Sequence, residues 1–209
     1  PHSPLGTDTI IAAGMCVKAA EIEPVVIFPT MFFGDKTGAG EFPGTVIFSL
    51  ETRWHIFRET CNEIHRNGFK KILFVNGHGG NIAPTKAALV DINIELGFPV
   101  YFLEYIVVPE KPYLDTQTGM IHACESETSL MLAYDESLVD PIYKETSGYP
   151  DGCTKHEDEG VLHTFHRMEA HTVNGVMGNS YAATKEKGEI LADVNTKKLV
   201  EILSDDVIW

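Results

Sequence analysis

Three short stretches of this chain carry residue types able to do chemistry. PLGTD (residues 4–8) ends in Asp8, and NGHGGN (residues 76–81) sets His78 among three glycines directly after the apolar run ILFV. HACESETS (residues 122–129) joins His122 to Glu125 and Glu127. A neutral imidazole at His78 binds a metal or shuttles a proton, and residue type alone does not separate the two. A hydrogen-bonded histidine in a turn is the structural alternative. Asp8, at a loop-to-helix junction, suits a divalent cation, and one carboxylate can bridge two metals through its two oxygens. Capping its helix is the structural alternative. Glu125 and Glu127, in the first turn of a helix, also complement the helix dipole without any catalytic duty. Successive helix positions diverge by about 100°, so only one of the two glutamates can face a small site.

The glycines at 77, 79 and 80 allow sharp turning and close backbone approach, and the helix after them offers amide donors to an anion or oxyanion. Backbone N–H groups around Gly79 and Gly80 are therefore candidate substrate contacts. The box is not a phosphate loop of the G-x-x-x-x-G-K-[ST] type, nor G-x-G-x-x-G, since Ile82 stands where the third glycine belongs. There is no G-x-S-x-G elbow and no H-E-x-x-H helix, which leaves water as the nucleophile. His156, His163, His166 and His171, beside Asp158 and Glu159, lie in a stretch without clear period and read as solvated or interface residues.

Elements that would position these residues are visible in the periodicity. Residues 7–22 read as a helix, and VVIFP (25–29) as a short strand. A glycine-rich loop with aromatics spans residues 30–44, and Phe33 within it is a candidate substrate contact. TVIFS (45–49) suits a short strand, and residues 51–67 an amphipathic helix ending at Gly68. KKILFV (70–75) reads as a buried strand, residues 82–96 as a helix ending at Gly97, PVYFLEY (99–105) as another strand, and residues 125–134 as a helix. Residues 141–180 read as loop and subunit contact, before a closing helix over about 181–203 that tolerates Gly188. Short apolar strands alternating with helices predict an α/β chain with a mainly parallel sheet covered on both faces. In such sheets ligands bind beyond the carboxyl ends of the strands, where the glycine box falls.

Composition narrows the classes further. The 209 residues are 44% apolar, suited to one globular domain with a sizeable core. Thirty acidic against 16 basic residues give a formal charge of −14, which argues against nucleic acid and for a small-molecule substrate. Four cysteines without a C-x-x-C pair signal neither zinc knuckle nor disulfide framework, and fit a reducing cytoplasm. No apolar run reaches the length of a membrane span, and no signal peptide is visible.

Together these stretches resemble the creatininase (creatinine amidohydrolase) family. Its pattern E-x-H-G-P-H-L-P-L-G-T-D is matched in its second half by PHSPLGTD, with Ser3 in place of Leu. FPGT at 42–45, NGHGGN, HACESETS against H-A-G-E-x-E-T-S, and GVMGNSYAATKEKGE follow in family order over nearly the whole chain. The resemblance implies a three-layer α/β/α sandwich, a homohexamer and a metal centre, often binuclear, holding zinc, manganese or iron. It makes Asp8 the bridging carboxylate and His78 a ligand, while His2 aligns with a non-ligand histidine that lines the pocket. Two departures follow. The Glu and His of E-x-H have no counterpart here, so the chain is expected to lack the N-terminal strand and that segment. The family's further Glu, two residues after the box histidine, is replaced by Gly80, so Glu127 is expected to supply that carboxylate and His122 to act as acid/base.

The expected activity is metal-dependent hydrolysis of a C–N bond in a small cyclic or linear amide. Hydrolysis of a C–C bond in a cyclic keto sugar or diketone is the enzymatic alternative, because family relatives act on diverse substrates. A non-catalytic sugar- or nucleotide-binding module using the glycine box as an anion cradle is the alternative of another class.

Overall fold

The computed structural model describes residues 1–34, 42–104, 108–117, 119–148 and 167–208. The regular elements are α1 (Thr7–Ala20), α2 (Leu50–Arg66), β1 (Ile72–Val75), α3 (Ile82–Leu96), β2 (Val100–Leu103), α4 (Glu125–Asp135) and α5 (Lys185–Leu203). The chain divides into two compact units. One comprises Pro1–Ile11, Thr37–Thr45 and Val108–Val194, and the other Ala12–Lys36, Val46–Val107 and Asn195–Trp209.

The second unit is built on the parallel pair β1–β2, in register Ile72 with Val100 through Val75 with Leu103. Successive strand residues point to opposite faces, and the two faces meet different helices. Ile72, Phe74 and Val100 pack with Cys61, Trp54 and Phe57 of α2 and with Ile92, Leu89 and Leu96 of α3. Leu73, Val75 and Leu103 pack instead with Met15 and Ala19 of α1 and Leu199 and Leu203 of α5. Helix, sheet and helix layers follow from this alternation, and the expected α/β/α arrangement is present. Fully burying an aliphatic side chain such as Ile92 contributes about 1.5–3 kcal/mol.

Local signals set the boundaries. The Ser49 hydroxyl caps α2 by accepting the Thr52 N–H at 3.1 Å. Gly97, at φ +65°, closes α3 in the left-handed conformation that glycine adopts without strain. Asn93 then pins the start of β2, accepting from the Val100 N–H at 2.7 Å and donating to its carbonyl at 3.2 Å.

Two expected strands do not form. Residues 25–29 and 45–49 lie outside any helix or ladder, and Val25, Val26, Ile27 and Phe28 are all exposed. An apolar run becomes a strand only when a neighbour takes its N–H and carbonyl groups, and the described sheet has two strands. Among the described residues no helix is long and apolar enough to cross a membrane.

The first unit centres on α4, whose residues Glu125 to Leu132 are all buried. Glycine permits the close approach of α5. A Cβ on Gly188 would intrude on the Ser129 carbonyl and come within 2.9 Å of the Ala133 methyl. The closing helix survives Gly188 because this position must be bare.

Candidate metal and catalytic residues

His78 lies just past the carboxyl end of β1, where a parallel sheet presents its ligands. It precedes a short 3-10 turn, Gly79–Asn81, that runs directly into α3. Asn76 fixes this corner: its side chain accepts the His78 N–H at 3.2 Å and donates to the His78 carbonyl at 2.8 Å, while Asn81 donates to Asn76 Oδ1 at 3.1 Å. The first helical acceptor is the His78 carbonyl, taken by the Asn81 N–H, so the Gly79 and Gly80 N–H groups have no intrahelical partner. The sharp turning expected of these glycines is the 3-10 turn itself, made without a positive φ at Gly79 or Gly80. A Cβ on Gly79 would meet no described atom within 4 Å. Neither the backbone nor its described neighbours require glycine there, and the space beside it is open.

The aromatic loop reaches this corner. A Cβ on Gly34 would stand 3.1 Å from Asn81 Oδ1 and 3.3 Å from the His78 ring. Phe33, 46% exposed, packs its ring 4.5 Å from that of Phe48. Residues 35–41 lie outside the described residues.

In the first unit, α1 begins at Thr7, which puts the half-buried Asp8 inside the first helical turn rather than at the cap. The helix dipole favours a carboxylate there. His2, expected to line the pocket, is 1% exposed, with Nε2 2.8 Å from the Thr128 hydroxyl and Nδ1 3.4 Å from that of Thr146. Burial pushes its imidazole down to about 4, so His2 is neutral near pH 7.

The two glutamates of α4 diverge as helical geometry requires. Glu125 is fully buried and accepts the Asp115 N–H (2.8 Å), the Thr116 N–H (2.9 Å) and hydroxyl (2.6 Å), and the Lys187 ammonium (2.6 Å). It is structural. Glu127 turns back to accept the Ala123 N–H. Ala123 has φ +50°, a left-handed conformation that costs a non-glycine residue about 1–2 kcal/mol. This strained residue directly follows the half-buried His122, whose backbone pairs with Met177 (N–H to carbonyl 3.3 and 2.9 Å). Gln117 supports the same turn, its Oε1 accepting the Glu125 N–H at 3.0 Å and the Asn179 N–H at 3.2 Å. Gly178, at φ +124°, leaves room for it: a Cβ would lie 2.7 Å from Gln117 Nε2 and 2.8 Å from Cys124 Cβ. The motif GVMGNS thus braces the histidine loop, a role its composition did not disclose.

Residue by residue, His78, Gly79 and Gly80 form one corner with the Phe33 loop beside it, and His122 and Glu127 share one loop–helix junction. Among the described residues, no three or more His, Cys, Asp or Glu side chains group as they would around a metal ion. The donor types still fit one: imidazole and carboxylate suit zinc, manganese or iron, and a carboxylate has lone pairs enough to hold an N–H and a cation together. His156, His163, His166, Asp158 and Glu159 lie outside the described residues. Cys16, Cys61 and Cys124 are free thiols pushed by burial up to about 11, 12 and 11, which leaves them protonated and non-nucleophilic.

A family profile for creatininase (creatinine amidohydrolase) matches residues 1–203. The chain is 24% identical over 225 residues to the creatinine amidohydrolase of Pseudomonas putida, covering 98% of this chain and 84% of that protein. It is 28% identical over 198 residues to the mycofactocin precursor peptide peptidase of Mycolicibacterium smegmatis, covering 90% and 73%. A crystal structure from Bacteroides fragilis NCTC 9343, provisionally named a creatinine amidohydrolase, superposes with a TM-score of 0.88 at 29% identity, covering 97% of this chain and 82% of that one. A Zn–Zn form and a manganese form of creatininase share the fold, each with a TM-score of 0.74 at 20% identity over 96% of this chain and 83% of theirs.

Proposed function

Because the chain belongs to the creatininase family, whose matched curated relatives bear the names of hydrolases, we propose that it is a metal-dependent hydrolase that cleaves a C–N bond in a small cyclic or linear amide. The reading rests on the placement of His78, held at the carboxyl end of β1 beside a helix N-terminus that is bare at Gly79. Asp8, His78 and Glu127 are the proposed metal donors, by their family motifs and donor chemistry. A bound divalent ion supplies a water of lowered pKa and polarises the carbonyl to be attacked. The Gly79 and Gly80 N–H groups donate to the developing oxyanion. His122 delivers a proton to the departing nitrogen. Phe33 packs against the apolar part of the substrate.

We further propose that the whole chain works as one creatininase-like domain, assembled as a homohexamer in the cytoplasm. Three free thiols among the described residues support a reducing compartment. Native mass spectrometry tests the assembly, and a dominant monomer would remove it.

The activity is tested by elemental analysis of the parent, Asp8→Asn and His78→Ala, alongside a panel of lactams, formamides, peptide amides and cyclic ketones. One or two metal equivalents in the parent, sharply reduced in both variants, with amide turnover abolished by chelation, is the expected result. Turnover confined to cyclic ketones would move the chemistry to C–C hydrolysis. Near-zero metal in all three after reconstitution would overturn the mechanism.

A further inference from the structure

We propose that Glu110 is a positioning residue for His122, its carboxyl group tying together the chain on either side of the turn at His122 and Ala123. The inference rests on the catalytic reading of His122 above. Glu110 is 4% exposed. Its Oε1 accepts the Ser126 hydroxyl, four residues after His122, and its carboxyl lies beside the main-chain N–H of Met120, two residues before it. Gly119 lets the loop pass close, since a Cβ there would stand 3.8 Å from Glu110 Oε2. Both ends of the strained turn are thereby held by one buried group, while Glu127 holds its middle at Ala123.

Stability alone does not account for a carboxyl group at this position. Glu125, equally buried, is met by the Lys187 ammonium, whereas Glu110 is met by a hydroxyl and an N–H. Burial pushes the Glu110 carboxyl up, and the nearby Glu125 adds to the shift. A leucine would avoid the desolvation of a buried polar group altogether. What leucine could not do is accept the Ser126 hydroxyl while presenting an acceptor to the main chain at 120. Misplacing a catalytic group by about 1 Å can cost about 100-fold in rate, which is reason enough to retain such a tether.

The test compares full-length parent, Glu110→Leu, Glu110→Gln and Ser126→Ala, all with histidine rings isotopically labelled and the His122 resonance assigned by its loss in His122→Gln. In Glu110→Leu we expect a native circular dichroism spectrum, a displaced or broadened His122 ring signal, and kcat lower by about 10- to 100-fold with KM little changed. Glu110→Gln keeps an acceptor oxygen of the same reach and should restore both the signal and most of kcat. A parent-like His122 signal and kcat in Glu110→Leu would overturn the proposal. Should Glu110→Leu fail to fold, Ser126→Ala removes one tether alone, and an unmoved His122 signal in that variant would overturn it equally. Should the parent hydrolyse no amide in the panel, the hydrolase reading fails by itself, and the ring signal still decides whether Glu110 positions His122.

Discussion

Replacing Lys187 with Met removes the cation that compensates the buried carboxylate of Glu125. Lys187 Nζ donates to Glu125 Oε1 and the Ala182 carbonyl, each at 2.6 Å, and to Asp115 Oδ2 at 2.7 Å. Breaking a buried pair by deleting one partner costs about 3–5 kcal/mol. Glu125 would keep three donors, the Asp115 N–H and the N–H and hydroxyl of Thr116, and the Lys187 side chain is itself 16% exposed. The loss should therefore fall at or just below the low end, about 2–3 kcal/mol. For a chain of this size each kcal/mol lowers Tm by about 2–4 °C, so a fall of roughly 5–10 °C is expected at pH 7.

The pH dependence has a definite sign. Burial pushes the Glu125 carboxyl up, but the Asp115 N–H, the Lys187 ammonium and Thr116 outweigh it and hold the carboxyl below its ordinary range. A group with a depressed folded pKa contributes stability that is present above its unfolded pKa and lost as pH falls through the folded value. The Tm gap between parent and variant should be widest near neutrality and close below about pH 4. Replacing both partners, as Glu125→Leu with Lys187→Met, should recover part of the loss, since no unpaired charge remains. Thermal unfolding followed by circular dichroism across pH reads all of this. A Tm change under about 2 °C at pH 7, or a gap that does not vary with pH, would refute the reasoning.

Gly79→Ala should leave Tm unchanged within error while lowering turnover of any panel substrate, because its new methyl meets no described atom; undiminished turnover would mean that the box does not face the substrate. Gly188→Ala should lower Tm substantially, since overpacking costs about 1–3 kcal/mol and the methyl meets the Ser129 backbone rather than a movable side chain; a neutral result by thermal melting would contradict the α4–α5 contact. For His2, the folded imidazole titrates near 4 and the unfolded one near 6.5, so the unfolded chain binds the extra proton between those values. Stability should fall as pH drops from about 6.5 to about 4, and a flatter Tm profile should appear in His2→Gln; identical profiles would place His2 outside the buried network.

The parts of this molecule legible in the sequence are those where one local cue dictates one structure. Helix α3 ends where Gly97 supplies the left-handed residue, and the alternate strand residues Ile72 and Leu73 face different helices because the pleat has a period of two. Chemistry is similarly local: a metal donor or an oxyanion contact must be a given residue type, so Asp8, His78 and the glycines stand out on reading. What failed to show depends on partners elsewhere. The run at 25–29 has every intrinsic preference of a strand, yet pairing is a property of two segments, and among the described residues it has no ladder.

The groups that hold the histidine loop are hidden for another reason. Gln117 reaches Asn179 across 62 residues of sequence, and Lys187 reaches Glu125 across the same number. Ala123 adopts φ +50° although alanine is no signal for that conformation. Glu110 sits in an irregular segment with no period at all. A support needs only polarity and reach, requirements many residue types and positions satisfy, so no pattern marks it in advance. The residues least visible in the sequence are therefore where substitution tests the site most sharply: a donor such as His78 would be suspected from its motif alone, whereas a change in the His122 ring on altering Glu110 follows only from the geometry.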